Sequence, residues 1–129
     1  MREDDERPGV LNDADAAYEA IRALNHATIW GGGTPAPTIY AVLGNLKTAL
    51  GYGAQQALNQ LGERLVDSLY EFDVTEDDGR SPTESVSAAL DHLRVAAHLA
   101  EQIGEHLSAA QSAIAGQGHR GRFEAEARG

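Results

Sequence analysis

The chain has no cysteine, a single methionine, a single tryptophan and one lysine, Lys47, among nine arginines. Without cysteine there is no disulfide framework, no thiolate nucleophile and no cysteine-ligated zinc. No apolar run approaches the roughly 18 residues that a membrane-spanning helix needs, so no span is expected. The opening residues Met1 to Arg7 carry no apolar run either, so no secretory leader is expected there and a cytoplasmic setting is. Ten basic residues face twenty carboxylates, for a net charge of −10. That balance disfavours phosphate backbones and anionic membranes and favours a basic partner.

What the sequence does hold is helical periodicity. The clearest stretch is Ser81 to Gly116. Ser81 suits an N-cap, Pro82 the first helical position, and Glu84 the third position of a capping box. Gly116 suits a left-handed C′ residue. The proline-free interval corresponds to roughly 50 Å of helix at about 1.5 Å per residue. Two apolar seams run along it. Ala89, Leu93, Ala96, Ala100, Ile103, Leu107, Ala110 and Ile114 form one. Val86, Leu90, Leu93, Ala97, Ala100, Gly104 and Leu107 form the other. Together they make a broad, small-residue stripe of near-heptad period, as in bundle helices. Asp91, Arg94, His98, Glu101, Glu105, Ser108 and Ser112 fall on the opposite, solvated side.

Upstream, residues 1–11 read as a disordered acidic tail. Asn12 or Asp13 can cap a first helix, with Ala14, Ala17, Tyr18, Ile21, Leu24 and Thr28 on one face as far as Trp30. Gly31-Gly32-Gly33-Thr34-Pro35-Ala36-Pro37 ends it. A second helix then carries Ile39, Leu43, Leu46 and Leu50. Gly51-Tyr52-Gly53 bends or interrupts it. A third carries Ala54, Leu58, Leu61, Leu65, Leu69 and Phe72. Residues 36–72 match the last helix in length, so a hairpin joined by the polar loop Asp73–Arg80 is the simplest packing, with the first helix over one end of its groove. Residues 117–129 lack apolar periodicity and read as a second disordered tail.

No stretch carries convincing catalytic or cofactor chemistry. Gly116-Gln117-Gly118-His119-Arg120-Gly121 spells G-x-G-x-x-G, but a dinucleotide site needs that spelling between a strand and a helix. Asp73–Gly79 is carboxylate-rich. Setting Gly79 as the sixth position of a calcium loop puts Val74 first and Ser85 twelfth, where oxygen ligands belong. His98, Glu101 and Glu105 share a polar face, but a di-iron bundle repeats Glu-x-x-His on inward faces. The chain is therefore read as non-enzymatic, without metal or cofactor. Trp30, Tyr40 and Tyr52 cluster around the glycine-proline loop and the helix break, and residues of these types anchor interfaces.

Three resemblances accompany this reading. Trp30-Gly31-Gly32 matches Trp-x-Gly and resembles the small secreted helical hairpins of the type VII secretion family, which dimerise. The first helix here is shorter, and no Tyr-x-x-x-Asp/Glu follows the last one. Pro37, Tyr40, Leu43 and Leu46 resemble the recognition helix of winged-helix repressors, which implies a DNA-associated regulator with a helix-turn-helix around residues 21–46. Lys47 is the one basic residue between Arg22 and Arg64 apart from His26. Finally, Ile21–Thr28, Val42–Leu46 and Ala110–Gly116 resemble small all-helical actinobacterial proteins of unassigned function, which implies the fold and no site.

The expectation is an all-α, elongated three- or four-helix bundle over residues 12–116. Its long C-terminal helix, about 82–115, lies antiparallel to helices 2 and 3. The apolar stripe on that helix exceeds what one antiparallel partner and the short first helix cover, so a homodimer is expected. Function is expected as a protein-interaction or structural module, with Trp30, Tyr40, Tyr52, Leu93, Ala100 and Leu107 as candidate interface residues and an unknown, possibly basic, protein as further partner.

Overall fold

A computed structural model of the chain describes residues 8–123. Among the described residues every regular element is helical and no strand occurs. None of these helices is long and apolar enough to cross a membrane. The chain divides into two units, Met1–Thr34 and Pro35–Gly129. The expected tails fall partly outside the described residues: 1–7 of the first and 124–129 of the second.

The first unit holds α1, Gly9–Trp30. It begins three residues before Asn12, because Pro8 takes the N-cap with φ −59° and ψ 139° and accepts from the N–H of Leu11 at 3.1 Å. Proline has no N–H to leave unsatisfied there, and its fixed φ suits the helix start. The helix ends at Trp30 as expected. Gly31 turns extended, φ −78° and ψ 170°, and donates to the Ala27 carbonyl at 2.9 Å. A Cβ at Gly31 would collide with that same carbonyl oxygen, so glycine is needed at this stop. No residue of α1 is buried.

The second unit opens with α2, Ala36–Leu46, capped by Pro35 with Pro37 in its first turn. The helix does not end at the Gly51-Tyr52-Gly53 sequence. It widens into a π-helical segment, Lys47–Gly53, and continues as α3, Ala54–Glu71. Backbone angles stay helical across both joints: −66°, −37° at Leu46 and −64°, −46° at Gly53. The Ala54 N–H reaches back five residues to the Ala49 carbonyl. Glycine makes the wide turn possible, since a Cβ at Gly53 would stand 2.8 Å from the Thr48 carbonyl oxygen.

A turn closed by i→i+5 bonds takes up one extra residue. The inward position falls on Gly51, which is buried, and Leu50 stands outside. Farther along α3 it falls on Gly62, also buried, and Leu61 is 52% exposed. The expected face of Leu50, Leu61 and Phe72 is therefore corrected. Leu50 and Leu61 each stand one position, about 100°, off the line of Gly44, Gly51 and Gly62 that meets α4, and Phe72 already lies past the helix in extended conformation, φ −131° and ψ 155°.

The fourth helix, α4, spans Pro82–Ala113. Ser81 is its N-cap and Pro82 its first residue, but the capping box does not form. The Glu84 N–H bonds the Ser81 backbone carbonyl at 3.0 Å, and no side chain caps the end. Ser85 supplies the local anchor instead, its Oγ donating to Glu76 Oε1 at 2.9 Å and so tying the loop to the helix. At the other end Gly116 is not left-handed; the described glycines with positive φ are Gly79 and Gly121. Short bonds close α4: Ile114 to Gln111, Ala115 to Ser112 and Gln117 to Ile114, at 3.3, 3.3 and 3.0 Å. Bonds of this three-residue reach tighten a last turn and satisfy its free carbonyls without a left-handed residue.

The contact between the rod and α4 centres on two glycines. A Cβ at Gly51 would lie 2.5 Å from the Gly104 Cα, and one at Gly104 would lie 3.2 Å from the Gly51 Cα. The two backbones touch. To either side, Gly44 meets the Gln111 side chain and Gly62 meets Leu90. Of the two expected α4 seams, the one through Val86, Leu90, Leu93, Ala97, Ala100, Gly104 and Leu107 is buried or half-buried throughout. The other leaves Ile103 and Ala110 exposed.

This crossing generates a contrast between glycines. Gly51→Ala places a methyl group against backbone, which cannot swing aside, and should destabilise the chain by about 1–3 kcal/mol despite alanine's better helix propensity. Gly44→Ala meets only the amide end of the Gln111 side chain, which can turn aside at the expense of its hydrogen bonds, and should cost less, about 1 kcal/mol or under. Urea denaturation of both variants checks this. Equal stabilities would mean that the backbones are not in contact.

Candidate interaction surface

The six candidate residues divide by what surrounds them. Trp30 is the last residue of α1 and is 75% exposed, its ring 6.4 Å from that of His26 at a tilt of 49°. Tyr40 on α2 and Tyr52 in the π-helical segment are also exposed. Tyr52 has a local role as well: its ring carbons Cε1 and Cζ lie within 3.6 Å of where a Gly104 Cβ would be, so the ring covers the glycine crossing. Leu93, Ala100 and Leu107 sit on the inner seam of α4. Ala100 is buried beside Gly51, and Leu93 stands beside Gly62, so both serve contacts within the chain.

Polar contacts fasten the rod to α4. Lys47 Nζ donates to Gln111 Oε1 at 3.2 Å, while Gln111 Nε2 donates to the Tyr40 carbonyl at 3.1 Å. The chain's one lysine is thus drawn into an internal contact. At mid-length Gln55 Nε2 donates to Glu101 Oε2 at 3.3 Å. Glu101 also lies 3.9 Å from His98 Nδ1. The ion pairs Glu19–Arg22, Asp67–Arg64 and Asp91–Arg94 join residues three apart on exposed helix surface. Pairs of that kind are worth about 0.2–0.5 kcal/mol each and are screened by salt.

An open groove of about 410 Å³ runs beside the contact, lined by Leu58, Asn59, Gly62, Glu63, Val66 and Asp67 from α3 and Leu90, Leu93 and Arg94 from α4. The groove brings carboxylates and one guanidinium along a shallow apolar floor, without a nucleophile and base in hydrogen-bond reach. Among the described residues no three His, Asp or Glu side chains converge as metal ligands. In the carboxylate-rich loop, Glu76 accepts from Ser85, and Asp78 accepts from the Arg80 backbone N–H at 3.0 Å and its guanidinium at 2.8 Å. At Gly121, φ +91°, the backbone N–H donates to His119 Nδ1 at 3.1 Å, a local turn within the G-x-G-x-x-G spelling.

Sequence reading passed over two side chains. Val95 and Leu99 are 58% and 52% exposed on α4 and belong to neither expected seam. They continue the i, i+4 spacing into Ile103, 46% exposed. That spacing is the available signal, masked because each residue directly follows a polar one, Arg94, His98 and Gln102.

No protein-family model matches this chain, and neither a curated protein nor a solved structure shows significant similarity to it. The resemblances described above therefore rest on the quoted residues alone.

The Asp78–Arg80 pair gives a titration test. Hydrogen bonds from the Arg80 side chain, and then from its backbone, hold the Asp78 carboxyl below the usual carboxylate range. A depressed folded value means the pair's contribution is whole above that range and is lost as pH falls through the folded value. Arg80→Ala should return Asp78 toward the ordinary range in a carboxyl NMR titration. An unmoved titration midpoint would show that Arg80 is not the cause. Because the group is exposed, thermal stability at neutral pH should hardly change.

Proposed function

We propose that the chain is a non-enzymatic helical interaction module that acts as a homodimer. One observation carries this reading: the buried apolar side chains among the described residues are only Ala97 and Ala100. Leucines and isoleucines on the same helices are half-buried or exposed. A unit of this size secures independent stability by burying large side chains, or else by recruiting another subunit, a metal or a disulfide. Disulfides are excluded by composition. A second protein surface is the remaining source of burial that fits these exposed side chains.

In this reading α4 lies antiparallel to the rod of α2, the π-helical segment and α3. The pairings of Gly44 with Gln111, Gly51 with Gly104 and Gly62 with Leu90 support that arrangement, since one number rises as the other falls. Two such hairpins complete a four-helix core. Exposed aromatic side chains at Trp30, Tyr40 and Tyr52 are then free to anchor a further protein, and the net charge of −10 favours a basic one.

Light scattering on the purified full chain at low micromolar concentration is expected to give twice the mass of one chain. A clean monomer would sink the dimeric reading.

A further inference from the structure

We infer that the dimer forms through one particular face of the helical hairpin, the one from which carboxylates are excluded, and that its occupant is a second copy of this chain. The inference rests on the dimeric reading and names the surface.

The two flanks of the hairpin differ. One flank is the open groove, where Glu63 and Asp67 of α3 meet Arg94 of α4. The Gln55–Glu101 contact lies on this same side. At about 100° per residue, Asp91 and Glu105 also project toward it or toward the back of α4. The opposite flank of α3 carries Ala57 and Leu61. In an antiparallel pair, the opposite flank of α4 shares that face, and it carries Ala96, Leu99, Ile103 and Ala110, with the exposed His92 and His106 beside them. Leu50 precedes them on the rod. Leu50, Leu61, Leu99 and Ile103 are each more than one-third exposed. Neither Asp nor Glu falls among these positions. The remaining carboxylates of α3 and α4 are Glu71 and Glu84, at the loop ends of the helices.

Charge decides the occupant. A chain of net charge −10 repels its own copy over most of its surface. Self-association needs a face where like charges do not meet, and this is such a face. A basic partner would instead find its complement on the groove side. Size agrees. The 32 residues of α4 run about 48 Å, and two helices each about 10 Å across and packed about 8–10 Å apart present a face of about 900 Å², matching the roughly 800 Å² per partner of a stable interface.

The test uses the full chain. Leu99→Glu and Ile103→Glu, separately and together, put a carboxylate into the proposed contact. The dimer's Kd should rise by about a hundredfold or more, with the scattering mass falling toward one chain and the helical circular dichroism retained. Arg94→Glu on the groove side should leave the mass unchanged. As a second measurement, the absence of native cysteine lets Ile103→Cys and Arg94→Cys report protection. The thiol at 103 should react with a maleimide more slowly as protein concentration rises, and the thiol at 94 should not. A wild-type dimer that survives both glutamates, or equal concentration dependence of the two thiols, overturns this face while leaving the dimeric reading intact. A wild-type monomer overturns both.

Discussion

The fold depends on a single close approach, Gly51 against Gly104. Two helices with ordinary side chains pack with axes about 8–10 Å apart. Here neither partner has a side chain at the crossing, and a methyl group on either would press on the other's backbone. Attraction at such a contact comes from many small dispersion terms between backbones, plus the cover that the Tyr52 ring provides. It brings Gln55 within reach of Glu101 and Lys47 within reach of Gln111. These polar fastenings are long side chains spanning a gap that only the glycines make short enough.

Close approach has a cost in burial. Alanine and glycine at the centre exclude the large side chains that ordinarily supply hydrophobic stabilisation, at about 25 cal/mol per Å² of apolar surface. Ala97 and Ala100 bury little area each. The leucines and isoleucines lie at the edges of the contact, where one chain does not enclose them. A thin centre and apolar edges are two consequences of the same geometry. The proposed second copy answers both, because it covers the edges without disturbing the crossing.

Much of this was legible in the residues. Helix existence and type, the stop at Trp30, the start at Pro82 and the loop after Phe72 all follow from periodicity, glycine and proline. The inner seam of α4 was read residue for residue. Three features were not legible. The π-helical turn leaves no compositional mark that separates it from an ordinary glycine break, so Gly51-Tyr52-Gly53 read equally well as a kink. The capping box at Ser81 had the right letters, but Ser85 and Glu76 pair across the loop, a contact that local spacing does not encode. Apolar regularity on α4 marks inward and outward contacts alike, so it does not separate Leu93 and Ala100, which serve contacts within the chain, from the exposed Leu99.

The wide turn ties these points together. It holds Gly51 at the crossing, where only glycine fits, and Gly53, whose missing side chain leaves room for the Thr48 carbonyl. Leu50 and Leu61, each one position before an inward glycine, stand on the flank of the contact. Under the proposed antiparallel pairing, that flank is the side on which Ile103 and Leu99 already stand. One line of glycines thus permits the closest contact of the fold and leaves on one surface the leucines that the contact cannot hold. The glycines are therefore best understood as setting how closely the rod approaches α4, and the apolar face as what that approach leaves uncovered.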